Sequence, residues 1–192
     1  MREANVKPAK QAAGTNKPDH VVEIFLQPGD FYFGGADTRI RTVLGSCVSI
    51  TMWHPRRLIG GMCHYMLPSR NVKRIGALDG RYAEEAVLMF FQEAARHDTN
   101  PKDYVVKVFG AGNMFPGLGK KTTCGPRASK REIDACSNVS CKNAAIVHSL
   151  ASLHGFSIET HDLGGDGHRQ VVFDIWSGHV WVRRPAMQKV HA

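Results

Sequence analysis

The succession of short β-prone runs in the first third of the chain constrains its fold more than any other feature. VVEIF, FYF, RIRTVL, CVSITMW and MCHYML follow one another with no helix-length segment between them. Each is rich in β-branched and aromatic residues and is bounded by glycine or proline. Strands joined by such short connections cannot be parallel neighbours, because a parallel pair needs a crossover of a dozen or more residues. Only residues 80–96 and residues 141–154 have helical periodicity over a useful length. YVVKVFG, FSIETHDL, RQVVFDIW and HVWVRR supply the remaining strands, the last two as a hairpin about Ser177-Gly178. The expected fold class is therefore α+β, an α/β sandwich of mixed β-sheets packed together with two long helices on the outside, not a doubly wound parallel sheet. With 192 residues and 43% hydrophobic content, the chain can build one core and one domain.

Local signals fill in this outline. The turn Pro28-Gly29-Asp30 predicts a hairpin or bent strand over residues 21–33, and Leu44-Gly45-Ser46 predicts a tight turn between two strands. Gly60-Gly61 reads as a break before MCHYML. Asp79 is placed to cap the first helix, whose apolar stripe is Tyr82, Ala86, Met89, Phe90 and Ala94. Ile146, Val147, Leu150 and Leu153 form the inward stripe of the second, with Gly155 placed to stop it. Residues 114–140 are poor in apolar side chains and read as a long surface loop. The domain is expected over 21–185, with a disordered basic tail at 1–20 and a C-terminal tail at 186–192.

Composition narrows the setting. The first 20 residues carry no apolar h-region, and the most apolar run, residues 86–91, stops at Gln92 and Glu93, far short of a membrane span. Five cysteines at irregular spacing argue for reduced thiols and a cytoplasmic location. A formal charge of +8 suggests an acidic partner, but Lys120, Lys121, Arg127, Lys130 and Arg131 sit in the expected loop, where a solvated charge run is the simpler account. No recognition helix or interleaved aromatic pattern accompanies them, so nucleic acid is not expected as a partner.

The chemistry concentrates at Cys47. It follows a glycine-containing turn that can leave a side chain at a strand end beside exposed backbone N–H groups, which is how an oxyanion site is built; Gly45 and Ser46 belong to that turn. His64 lies in the next extended segment, so a hairpin can bring thiol and imidazole to one face. A paired imidazole would lower the thiol pKa and hold it as thiolate. Spacing alone leaves open that Cys47 is a small core hydrophobe.

The surrounding motifs TVLGSCVSI, GGMCHYMLP, VFGAGNMFPG and DLGGDGHRQVVFDIWSGHVWVR, in that order, resemble the chemoreceptor glutamine deamidases, the CheD family of bacterial chemotaxis. The resemblance implies that Cys47 is the nucleophile, that His64, in His64-Tyr65-Met66-Leu67-Pro68, is the catalytic histidine, and that a threonine just upstream of the cysteine completes the site, for which Thr42 is the candidate. It implies hydrolysis of glutamine amides on methyl-accepting chemoreceptors to glutamate and ammonia, receptor cytoplasmic helices as substrate, and a CheC-type phosphatase as a partner found in some bacteria; a methyl ester is a similar acyl target, so a weak methylesterase activity is expected beside it. No cofactor and no metal are implied. VSCKNAA departs from the family pattern, with Ser140 and Lys142 where a glycine and an arginine often precede the asparagine, here Asn143. The alternative from another class is a non-catalytic basic binding or scaffold module for chemotaxis proteins or nucleic acid.

Other residues have simpler accounts. Cys63 neighbours His64 in an extended segment and should face away from it. Cys124, Cys136, Cys141 and His148 lack a CxxC knuckle, which argues against zinc. GAGNMFPGLGKKT has its GK[ST] ending interrupted by Lys121, so a glycine-rich loop shaping the substrate groove, with Asn113 as a polar contact, is preferred to a P-loop. Asp162 and His168 flank glycines that suit a turn, and Trp176 and Trp181 suit core or cross-strand positions.

Overall fold

The computed structural model describes residues 17–70, 72–73, 75–114 and 130–185. Residues 1–16, residues 115–129 and the expected C-terminal tail lie outside the described residues, and with them Lys7, Lys10, Lys120, Lys121, Cys124 and Arg127. Nine strands are described: β1 Val22–Phe25, β2 Phe31–Gly34, β3 Thr38–Leu44, β4 Val48–His54, β5 Ile59–Cys63, β6 Val105–Gly110, β7 Ile158–Leu163, β8 Arg169–Asp174 and β9 His179–Arg183. The helices are α1 Ala83–Arg96, α2 Lys130–Ala135 and α3 Val139–His154.

The strands form a four-stranded sheet ordered β1-β3-β8-β9 and a five-stranded sheet ordered β2-β5-β4-β6-β7. Both are mixed: β1 runs parallel to β3 and β6 parallel to β7, and the other pairs are antiparallel. Alternation along the strands decides what packs where. Ile40, Leu44, Val171 and Phe173 of the smaller sheet meet Met62 and Phe109 of the larger one in a core between the sheets. The opposite face of the larger sheet, with Val48, Ile50, Met52, Cys63, Tyr65, Val106 and Val108, packs against Ala86, Val87, Phe90 and Ala94 of α1 and Ile146, Val147 and Leu150 of α3. The result is a sandwich with both long helices on one outer face, in the class that the strand pattern predicts.

Several local expectations are corrected. The segment around Pro28-Gly29-Asp30 does not close a hairpin: β1 joins the four-stranded sheet and β2 the five-stranded one, so the turn crosses between layers. Gly60 and Gly61 do not break the chain but lie inside β5, between β2 and β4, where a Cβ on Gly61 would overlap the Tyr32 carbonyl oxygen. Gly61→Ala is accordingly expected to cost about 3 kcal/mol through overpacking, read as a lowered denaturation midpoint; an unchanged midpoint would contradict it.

Asp79 does not cap α1. Its carboxylate accepts from the Arg81 guanidinium and N–H, while the Arg81 carbonyl accepts from the N–H groups of Met66 and Leu67; residues 80–81 form a turn closed by the Tyr82 N–H on the Asp79 carbonyl, and the helix begins at Ala83 after an extended Tyr82. Residues 114–140 are not all loop, since α2 lies within them with Ile133 buried. α3 starts two residues early, where the Asn138 side chain accepts from the Cys141 N–H, and stops at Gly155 in the left-handed conformation, φ 69°. Leu153 faces solvent at 75% exposure.

Candidate functional site

The site sits at one end of the inter-sheet core. Val48 and Tyr65 form a backbone-paired bridge just beyond the β4–β5 ladder, with N···O distances of 3.0 and 2.9 Å in the two directions. Side chains alternate on either side of such a pair, so Val48 and Tyr65 face the helices and the alternation puts Cys47 and His64 at diagonal positions on the other face. Cys63, on the helix side with Tyr65, is wholly buried, and burial pushes its thiol up to about 12.

Thr42 reaches this pair from the opposite sheet. In β3 the alternation turns Thr42 inward and buries it, while Arg41 points to solvent and pairs with Glu23 at 3.1 Å. Thr42 Oγ1 donates to the Leu26 carbonyl at 2.9 Å and lies 2.8 Å from His64 Nδ1. A hydroxyl carries one hydrogen, and a carbonyl can only accept. With that hydrogen on Leu26, Thr42 accepts from His64, which puts the imidazole proton on Nδ1 and leaves Nε2 bare.

The crossing turn holds the backbone of the same histidine. Asp30 accepts from the His64 N–H at 2.9 Å and the Gly29 N–H donates to the His64 carbonyl at 2.7 Å, with Gly29 at φ 93°. Leu26, Gly29 and Asp30 thus anchor both Thr42 and His64, a role that the turn signal gave no hint of.

The segment after β6 fixes the cysteine loop. Ala111 N–H donates to the Cys47 carbonyl at 2.7 Å and Gly112 N–H to the Gly45 carbonyl at 2.8 Å. These approaches need bare backbone: a Cβ on Gly110, at φ 127°, would overlap the Cys47 carbonyl, and one on Gly112 the Gly167 carbonyl. Ala111 itself is held at φ 56°, a strained setting for a residue with a Cβ. The described start of the glycine-rich run, residues 110–114, therefore abuts the Cys47 backbone. Asn113 pairs through its backbone with Gly165 and Gly167 at 2.7 and 2.9 Å. Among the described residues, the N–H groups of Ser46 and Cys47 have no backbone acceptor, while the carbonyls of Gly45, Ser46 and Cys47 are all engaged.

Burial raises the half-buried Cys47 thiol above its ordinary pKa, against a weaker opposing hydrogen bond from Ser46. Burial likewise lowers His64, against the Leu26 carbonyl and Asp30. Both shifts favour the uncharged pair, contrary to the expectation of a standing thiolate.

Asp162 is not an acid–base partner of His168: it pairs with Arg169 at 3.0 Å and with Arg184, around glycines at positive φ. Trp176 is buried beneath the Arg39 guanidinium, whereas Trp181 is exposed opposite Val172. Among the described residues, no three His, Cys, Asp or Glu side chains gather as metal ligands would, and no helix is long and apolar enough to cross a membrane. Asn143, fully buried beside the cysteine loop, is the residue that motif spacing did not single out for the site.

A family model described as CheD chemotactic sensory transduction matches residues 66–184. Among curated relatives, "Probable chemoreceptor glutamine deamidase CheD" of Pseudomonas savastanoi pv. phaseolicola is 44% identical over 175 residues, covering 91% of this chain and 92% of its own, a stretch too long to leave out residues 47 and 64. "Probable chemoreceptor glutamine deamidase CheD 3" of Dechloromonas aromatica is 44% identical over 88% of this chain and 91% of its own. "Probable chemoreceptor glutamine deamidase CheD 1" of Leptospira interrogans serovar Lai is 38% identical over 88% of this chain and 96% of its own. By the extent of the family match and the identity of these relatives, the chain belongs to the CheD family.

Proposed function

We propose that this protein hydrolyses glutamine side-chain amides on the cytoplasmic helices of methyl-accepting chemoreceptors, with Cys47 as nucleophile and His64 as the group that moves the protons. The observation that carries this reading is the pair of hydrogen bonds on Thr42, which leaves His64 Nε2 as a free base on the face that Cys47 shares. The names of the relatives supply the substrate class.

Each step follows from the groups present. Nε2 takes the Sγ proton as the sulfur attacks the amide carbon, and the new oxyanion is met by the N–H groups of Ser46 and Cys47. The imidazolium returns that proton to the departing nitrogen, ammonia leaves, and a thioester to Cys47 remains. His64 then draws a proton from water, whose oxygen attacks the thioester, and glutamate and the thiol are released. Thr42 keeps the ring in one tautomer and orientation throughout. A methyl ester offers the same acyl carbon with methanol as leaving group, so slow ester hydrolysis belongs to the same proposal.

Incubation with a receptor cytoplasmic fragment is expected to raise the fragment's mass by about one dalton for each glutamine converted, the amide-to-acid difference. An unchanged fragment would overturn the assignment. A pH profile adds a second check. General-base catalysis needs the neutral imidazole, and burial places the His64 pKa below its ordinary 6.5. The acid limb of kcat/KM should therefore lie below pH 6.5, with activity falling as pH drops through it. A limb above pH 7 would contradict a buried neutral base.

A further inference from the structure

Two carbonyls next to the site are held by one buried side chain. Asn143, in the second turn of α3, has no exposed surface, and its Nδ2 donates to the Ser46 carbonyl at 3.1 Å and to the Met66 carbonyl at 2.8 Å. Ser46 immediately precedes Cys47, and Met66 lies two residues beyond His64. Both amide hydrogens are thus used, one on each of the segments that carry the reacting pair. Between His64 and Met66, Tyr65 is also fully buried, and its hydroxyl donates to the Asn143 carbonyl at 2.6 Å. Residue 143 therefore grips the cysteine loop once and the histidine segment twice. One turn earlier, Ser140 Oγ donates to the Gly112 carbonyl at 2.9 Å, and Gly112 in turn holds Gly45.

A purely structural explanation is incomplete. Asn143 Oδ1 is buried with no hydrogen-bond partner among the described residues, and an apolar residue here would remove that unmet acceptor but leave the Ser46 and Met66 carbonyls without this donor. What the amide supplies, and such a residue cannot, is a fixed separation between two backbone segments that no strand ladder joins at this point: the β4–β5 pairing ends in the single bridge at Val48 and Tyr65. Cys47 lies on the far side of that bridge from the ladder, so beyond Val48 its position relative to His64 is set by the backbone bonds from Ala111 and Gly112 together with the Asn143 amide.

We infer that Asn143 is a positioning residue for the deamidation reaction, setting the distance and angle between the Cys47 sulfur and the His64 imidazole by tying Ser46 to Met66. This inference rests on the Cys47–His64 assignment. A displacement of about 1 Å in a reacting pair can cost on the order of a hundredfold in rate without weakening substrate binding, because the substrate is held by other surfaces.

The test uses the full chain with Asn143→Leu, which keeps the branching at Cγ and removes both donors, and with Tyr65→Phe, which removes a single hydroxyl. Folding is read by circular dichroism and thermal melting, catalysis by kcat and KM on a receptor cytoplasmic fragment, and geometry by the pH profile of Cys47 alkylation. In folded Asn143→Leu, kcat is expected to fall roughly 30- to 100-fold with KM within about twofold, and the alkylation profile to shift. Wild-type kcat, or a loss confined to KM, overturns the inference. If Asn143→Leu does not fold, a severalfold loss of kcat at unchanged KM in folded Tyr65→Phe supports it, and wild-type kcat in Tyr65→Phe overturns it. Cys47→Ala, run alongside, separates the two levels: full activity there sinks the Cys47–His64 assignment and this inference together, whereas an inactive Cys47→Ala with fully active Asn143→Leu sinks this inference alone.

Discussion

Cys47→Ala is expected to lower the rate of amide hydrolysis by roughly four orders of magnitude or more, because the covalent step has no other acceptor for the acyl group. The residue is half-buried and only partly packed against the inter-sheet core, so the same substitution should change stability by no more than about 1 kcal/mol. Activity and stability therefore separate in this variant. Cys47→Ser should be almost as inactive, since the hydroxyl is a far weaker nucleophile than a thiol whose proton is taken during attack. Ammonia release from a receptor fragment, compared with circular dichroism on the same preparations, checks both halves. Turnover in Cys47→Ala within tenfold of wild type would remove the nucleophile from the account.

His64→Ala should have the next largest effect, a loss on the order of a thousandfold in kcat, within the range of two to four decades that a positioned acid–base group supplies. Here fold and function are less cleanly separated. His64 is buried at 2% exposure and receives the Thr42 contact, so its removal leaves a small void between the sheets and an unmet acceptor on Thr42. The diagnostic readout is therefore the shape of the pH profile. The acid limb belongs to the imidazole, and in His64→Ala the residual rate should no longer show it. A limb that persists unchanged would assign the titration to another group.

The two halves of this site were legible to different degrees, for physical reasons. Cys47, His64 and Thr42 stand in short motifs whose order the family resemblance supplied, and the β alternation that turns Thr42 inward and Arg41 outward is a local property of β3. The mixed, two-layer architecture was legible because adjacent strand runs and scarce helices leave few other solutions. What holds the site was not legible. Leu26, Gly29 and Asp30 act through backbone groups, and Pro-Gly-Asp carries a turn signal that does not say whether the chain reverses within one sheet or crosses to another.

Gly60 and Gly61 misled in the same way. Glycine marks a break in isolation, but in β5 it answers a close approach from a neighbouring strand, and that approach exists only in the assembled sheet. Asn143 fell on the helix stripe next to apolar positions, and nothing in its spacing shows that its amide spans to residues 46 and 66. The charge state of the pair was not legible for a related reason: the motifs carry no sign of how deeply thiol and imidazole are buried, and burial shifts both toward their neutral forms.

At the centre of this account is a neutral imidazole whose single proton is pinned away from the sulfur by a threonine. Nitrogen-15 NMR of histidine-labelled protein near pH 7, with the His64 signals assigned through a His64 variant, reads that proton directly. A protonated Nδ1 and a bare Nε2 are expected. A proton on Nε2, or an imidazolium with both nitrogens protonated, would contradict it.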